Sequence, residues 1–129
     1  MRARVLLIDD SRFLRMALEK TLEAKGFEVK VAADGEEGLR MVQEGEKFDL
    51  VLLDVFLPKM TGHEVLKHLK GNPATAAVPV LMLSGLAKEK ERQELIDSGA
   101  ADCLPKALDL MAVVACAEKC LNLQTDTPV

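Results

Sequence analysis

The chain has 129 residues, 49% hydrophobic and 29% charged, which fits one folded domain and excludes a disordered segment or a second globular unit of ordinary size. Seventeen Lys and Arg against twenty-one Asp and Glu give a formal charge of −4 with no basic cluster, and Trp and Tyr are absent, so neither a nucleic-acid surface nor a stacking platform is expected. The apolar runs are a few residues long, far short of the roughly 20 needed to cross a membrane or of a signal-peptide core, so a cytoplasmic protein with reduced thiols at Cys103, Cys116 and Cys120 is expected.

Residues 5–8 form the first expected strand, an apolar run of the kind buried on both faces of a parallel sheet, and it stops at Asp9-Asp10. Leu14, Ala17, Leu18, Thr21 and Leu22 then recur at three and four residues, predicting a helix to about Lys25 with Gly26 as its left-handed cap. A second strand fits residues 29–32. Asp34 with Glu37, and Thr61 with Glu64, have capping-box spacing, so helices are expected to begin near 35 and 62, on either side of a third strand at 50–53. Pro73 bounds the third helix, and residues 78–83 form the fourth strand. Residues 88–98 are rich in charge, with Leu95 and Ile96 as the main anchors of a loosely held fourth helix. Ser98-Gly99 stops it, a weaker fifth strand fits 102–104, and a fifth helix runs from 109 to about 121. Residues 123–129 are expected to be a frayed tail.

Strand starts at 5, 29, 50 and 78 are separated by 24, 21 and 28 residues, each room for one crossover helix. Five such units with right-handed crossovers predict an α/β doubly wound, three-layer fold whose function lies beyond the carboxyl ends of the strands. The residues found there are Asp9 and Asp10 after the first strand, Asp54 after the third, Ser84 after the fourth and Lys106 past the fifth. Three converging carboxylates repel one another unless a cation joins them, and an all-oxygen ligand set with open positions suits Mg²⁺ better than Ca²⁺ or Zn²⁺. That chemistry points to phosphoryl transfer.

These residues resemble the receiver domain of two-component response regulators, over roughly residues 3–122. The resemblance is carried by Asp9-Asp10 in LLIDDSRFLR, by Asp54, Pro58 and Gly62 in DLVLLDVFLPKMTG, by Ser84 in VPVLMLSG and by Lys106 in GAADCLPKALD. It implies a flavodoxin-like five-stranded sheet of order 2-1-3-4-5. It also implies that Asp54 accepts a phosphoryl group from a sensor histidine kinase or a phosphotransfer protein, and that the domain itself catalyses both this phosphorylation and its own dephosphorylation. Asp10, Asp54 and the backbone carbonyl of Phe56 are then expected to bind Mg²⁺, with Asp9 acting through a metal-bound water. Lys106 would pair with Asp54 at rest and with the phosphoryl group afterwards, and Ser84 would report phosphorylation by moving its loop and the fourth helix.

The resemblance further implies a downstream protein target or output domain, no direct nucleic-acid or membrane contact, and pairing of two copies through the face made by the fourth helix, fifth strand and fifth helix. This chain departs from the family pattern at two places, Cys103 and Ala107, and carries apolar residues at two further positions that bear on the phosphoryl lifetime. Cys103 stands where receivers usually carry Tyr or Phe on the fifth strand, so output through the Ser84 loop and the fourth helix is expected, with little side-chain rotation at 103. Ala107 stands where the family has a cis-linked Pro, so a trans bond between Lys106 and Ala107 is expected. Phe56 and Leu86, which flank the path of the hydrolytic water in the family, are both apolar and imply slow dephosphorylation. Three rivals remain: a pseudo-receiver that is never phosphorylated and serves only in protein interaction, a flavodoxin-like flavin carrier, and an aspartyl-phosphate phosphatase. The carrier would need a Ser/Thr/Gly-rich phosphate loop where Asp9-Asp10 stand. The phosphatase would need an acid at the position of Phe56.

Overall fold

The computed structural model describes residues 2–84, 88–105 and 110–125. Strands and helices alternate as β1 (Arg4–Ile8), α1 (Arg12–Ala24), β2 (Glu28–Ala32), α2 (Gly35–Gln43), β3 (Leu50–Asp54), α3 (Gly62–Gly71), β4 (Val80–Ser84), α4 (Glu89–Asp97), β5 (Asp102–Pro105) and α5 (Leu110–Thr125). All strand pairs are parallel and the sheet order is β2-β1-β3-β4-β5, the flavodoxin-like arrangement that the family resemblance implies.

The unbroken apolar runs have a physical reason. Side chains alternate across a strand, and here both faces are covered by helices. Leu6, Ile8, Val51, Leu53, Val80, Met82 and Cys103 pack on one side with Val65, Leu66 and Leu69 of α3 and Leu95 of α4. Val5, Leu7, Leu50, Leu52, Leu81 and Leu83 pack on the other with Leu18 and Leu22 of α1 and Val113, Val114 and Ala117 of α5. Each fully buried Leu contributes about 2 kcal/mol, so the two-sided burial of β1, β3 and β4 makes the centre of the sheet the rigid part of the molecule.

Helix ends follow the local chemistry. Ser11 caps α1 by accepting the Leu14 N–H, Asp34 caps α2 through the Glu37 N–H, and Thr61 and Glu64 form a reciprocal capping box at α3. Gly26, at φ +97°, closes α1: its N–H bonds the Glu23 carbonyl while that of Phe27 bonds Leu22, and the same pair of bonds ends α4 at Gly99.

Two boundaries differ from expectation by more than one residue. The fourth strand begins at Val80 rather than at 78, because Pro79 has no N–H for the ladder; its carbonyl still accepts from Val51 at 3.0 Å. Helix α5 continues to Thr125 instead of ending near 121. Leu121 packs in the core, and the helical backbone runs on for four residues beyond it, so the last clear apolar position of the stripe did not mark where the helix stops. Residues 126–129, the rest of the expected tail, lie outside the described residues.

The cysteines behave as packing residues. Cys103 is buried, Cys116 and Cys120 are half-buried, and all three are free thiols. Burial foremost, then the neighbouring Cys120 and Asp102, pushes the Cys116 thiol up to about 11, which disfavours the reactive thiolate. No described helix is long and apolar enough to cross a membrane.

Candidate functional site

The carboxyl ends of β1 and β3 deliver the acidic residues to one place. Asp9 directly follows β1 and Asp54 ends β3, and both are fully buried, whereas Asp10 is exposed. One carboxylate oxygen from each of the three lies within 4.8 Å of the others. At that spacing Asp9 and Asp54 repel by roughly 3 kcal/mol at an effective dielectric near 20, before any counter-charge is considered.

Backbone amides hold the two buried carboxylates in place. Asp9 Oδ1 accepts the Ser11 N–H at 2.8 Å and Asp54 Oδ1 accepts the Phe56 N–H at 3.1 Å, each an acidic side chain bonding the backbone two residues on. Each carboxylate keeps further lone pairs for a ligand. The donors are all oxygen, and the exposure of Asp10 leaves the site open to solvent. The set therefore fits a hard divalent cation that retains several waters, as Mg²⁺ does, better than a thiolate-preferring metal.

Behind Asp54, the chain turns sharply. Lys59 lies at φ +68° between Pro58 and Met60, and the Met60 N–H reaches the Pro58 carbonyl at 2.6 Å, a three-residue turn rare for a side chain this large. The turn returns α3 to the end of β3, where the Gly62 N–H bonds the Val55 carbonyl at 2.9 Å. A Cβ on Gly62 would stand 2.4 Å from the Asp54 carbonyl oxygen and 2.7 Å from Val55 Cα, both backbone atoms that cannot move aside cheaply. Gly62→Ala is accordingly expected to destabilise the fold by about 1–3 kcal/mol, read as a lower midpoint in urea unfolding.

Ser84 ends β4, fully buried, and its hydroxyl donates to Glu91 Oε1 of α4 at 3.2 Å. Cys103 is 2% exposed and belongs to the cluster on the α3 and α4 side of the sheet. Burial, then the charge of Glu91, pushes its thiol up. Phe56 is 58% exposed beside the acidic cluster. Lys106, Leu86 and Ala107 lie outside the described residues, as does the bond between Lys106 and Ala107.

Two contributors escaped the sequence reading. Arg15 lies off the apolar stripe of α1, yet its Nη1 donates to the Asp9 carbonyl at 2.8 Å; Glu91 is one of many charges in residues 88–98, yet it accepts from the Ser84 hydroxyl. Helical side chains lean toward the N-terminus, so residues in the first turns of α1 and α4 reach back to the strand ends that precede them. Strand-end position combined with that lean is the signal that sorting residues by face alone leaves out.

The model of the response regulator receiver domain matches residues 5–118 of the chain. A gliding motility regulatory protein of Myxococcus xanthus is 41% identical over 105 residues, covering 81% of this chain and 13% of that protein. The transcriptional regulatory protein CpxR of Escherichia coli is 40% identical over 112 residues, covering 87% of this chain and 46% of that protein. The chain thus spans half or less of the length of these curated relatives. Among solved structures, the chemotaxis response regulator CheY4 of Vibrio cholerae superposes with a TM-score of 0.88 at 33% identity, covering 94% of this chain and all of that one.

Proposed function

Because the chain belongs to the response regulator receiver domain family and is a signalling module of two-component systems, we propose that Asp54 is its phosphoacceptor and that the domain catalyses its own phosphorylation. The observation that carries this reading is the convergence of Asp9, Asp10 and Asp54 within 4.8 Å at the ends of β1 and β3.

In this reading an Asp54 carboxylate oxygen attacks the phosphorus of a phosphohistidine on a sensor kinase or phosphotransfer protein. The P–N bond breaks, the imidazole leaves, and an acyl phosphate remains on Asp54. A bound Mg²⁺, held by Asp10, Asp54 and the Phe56 carbonyl with Asp9 behind a coordinated water, would offset the charge of the transferring group. The Ser11 and Phe56 amides keep the buried carboxylates oriented. Lys106 supplies a flexible positive charge toward the phosphoryl oxygens. Ser84 donates its hydroxyl to a phosphoryl oxygen once its loop moves inward. Because Cys103 is small and already buried, output passes through that loop and α4 to the surface formed with β5 and α5, without a rotating side chain at 103. A downstream protein, an output domain or a second copy then reads that surface.

The test is intact-mass measurement after incubation with acetyl phosphate. A gain of one phosphoryl group in Mg²⁺, absent when EDTA replaces the metal, is the expected result. A gain that is indifferent to EDTA overturns the metal-assisted mechanism, and no gain in Mg²⁺ overturns the acceptor assignment.

A further inference from the structure

We infer that Glu91 is a latch on Ser84, a positioning residue that holds the hydroxyl and the first turn of α4 in the resting arrangement and releases both on phosphorylation. The inference rests on the phosphoacceptor reading and adds the group that Ser84 must leave.

Ser84 is fully buried at the end of β4, and the acceptor of its hydroxyl is a carboxylate oxygen seven residues later, on a helix. The tether matters because, among the described residues, few other contacts fix the start of that helix. Lys88 caps α4 without a side-chain hydrogen bond, and Leu95 is the one buried residue of the element. Among the described residues, the other polar tether from α4 to the sheet is the ion pair of Arg92 with Asp102 of β5, at 2.7 Å. Arg92 also approaches Glu89 at 3.8 Å, a contact within α4 that does not tie the helix to the sheet. Glu91, in the first turn of α4, is favoured there by the helix dipole, so its carboxylate is held at the turn whose position the hydrogen bond sets.

The exclusivity is chemical. A serine hydroxyl has one proton and donates one hydrogen bond, so it cannot serve Glu91 and a phosphoryl oxygen together. Phosphorylation also adds negative charge to the rim that the Glu91 carboxylate faces through Ser84, which further disfavours the resting contact. Phosphoryl capture and release of the first turn of α4 become one event. By linkage, a contact made only at rest weakens binding of whatever draws Ser84 away, and deleting it strengthens that binding by the same factor.

The probe is beryllofluoride in Mg²⁺, titrated calorimetrically into the wild type, Glu91→Ala, Glu91→Gln, Ser84→Ala and the Ser84→Ala/Glu91→Ala double variant. With Ser84 present, Glu91→Ala is expected to bind on the order of 5-fold tighter, the effect of losing one charge-assisted hydrogen bond from the resting state alone. Glu91→Gln, which keeps size and an oxygen acceptor but no charge, is expected to shift affinity the same way by less. In the Ser84→Ala background the Glu91→Ala factor is expected to fall to about 1. Equal or weaker binding by Glu91→Ala overturns the latch, and so does an equal gain with and without Ser84, because a general effect on α4 does not need the hydroxyl. Failure of the wild type to bind the probe removes the phosphoacceptor reading and the latch with it, whereas wild-type binding unaffected by Glu91 removes the latch alone.

Discussion

Asp54→Ala is expected to abolish phosphoryl uptake from acetyl phosphate, with the rate falling on the order of 10³-fold or more, below detection by intact mass. The size follows from the role, since a nucleophile that forms the covalent bond has no partial substitute. Asp9 and Asp10 are close enough to be imagined as stand-ins, but their places differ. Asp9 is fully buried and bound to the Ser11 amide, and Asp10 faces solvent at the mouth of the site, whereas Asp54 ends the central strand β3. Asp54→Asn sharpens the test, because the amide keeps the volume and an oxygen for the Phe56 N–H while losing nucleophilicity and one negative charge. It is expected to remain unlabelled and to lose most of the Mg²⁺-dependent rise in thermal midpoint. Labelling that persists in Asp54→Asn would place the acceptor on another carboxylate.

The parts of this site legible in sequence are those set by strand ends. Apolar runs buried on both faces mark where β1, β3 and β4 lie, so the first polar residues at their ends, Asp9, Asp54 and Ser84, had to reach the carboxyl rim whatever the helices did. The caps of α2 and α3 were equally readable, since Asp34 and Thr61 act on amides three residues away. What stayed hidden depends on direction or on tertiary contact. The reach of Arg15 to the Asp9 carbonyl and of Glu91 to Ser84 comes from the lean of helical side chains toward strand ends distant in sequence pattern. The turn at Lys59 adopts a positive φ at a residue that does not advertise it, because the return of α3 against Val55 imposes the geometry. Pro79 shortened β4 by a rule available in advance, and the apolar period was the wrong guide to the end of α5, whose backbone stays helical to Thr125.

Phe56→Asn is expected to shorten the lifetime of the acyl phosphate by about 10-fold, measured as decay of the phosphorylated mass after the donor is removed. Hydrolysis needs a water in line with the bond to Asp54, oriented by a group that accepts or donates a hydrogen bond. Phe56 lies two residues past Asp54, its amide bonded to the Asp54 carboxylate and its side chain largely exposed, at 58% for the residue. The ring offers a water no hydrogen bond strong enough to fix an attack geometry, and in the proposed reading it borders the approach. Because the side chain is largely exposed, its replacement is expected to change stability by no more than about 0.5 kcal/mol, so a faster decay is not a symptom of unfolding. Phe56→Ala separates the two contributions, since it clears the approach without supplying a polar group. If steric shielding dominates, Ala and Asn accelerate decay equally; if orientation of the water dominates, Asn accelerates it and Ala does not. An unchanged lifetime in both variants would mean that water reaches the phosphorus by a path that Phe56 does not border.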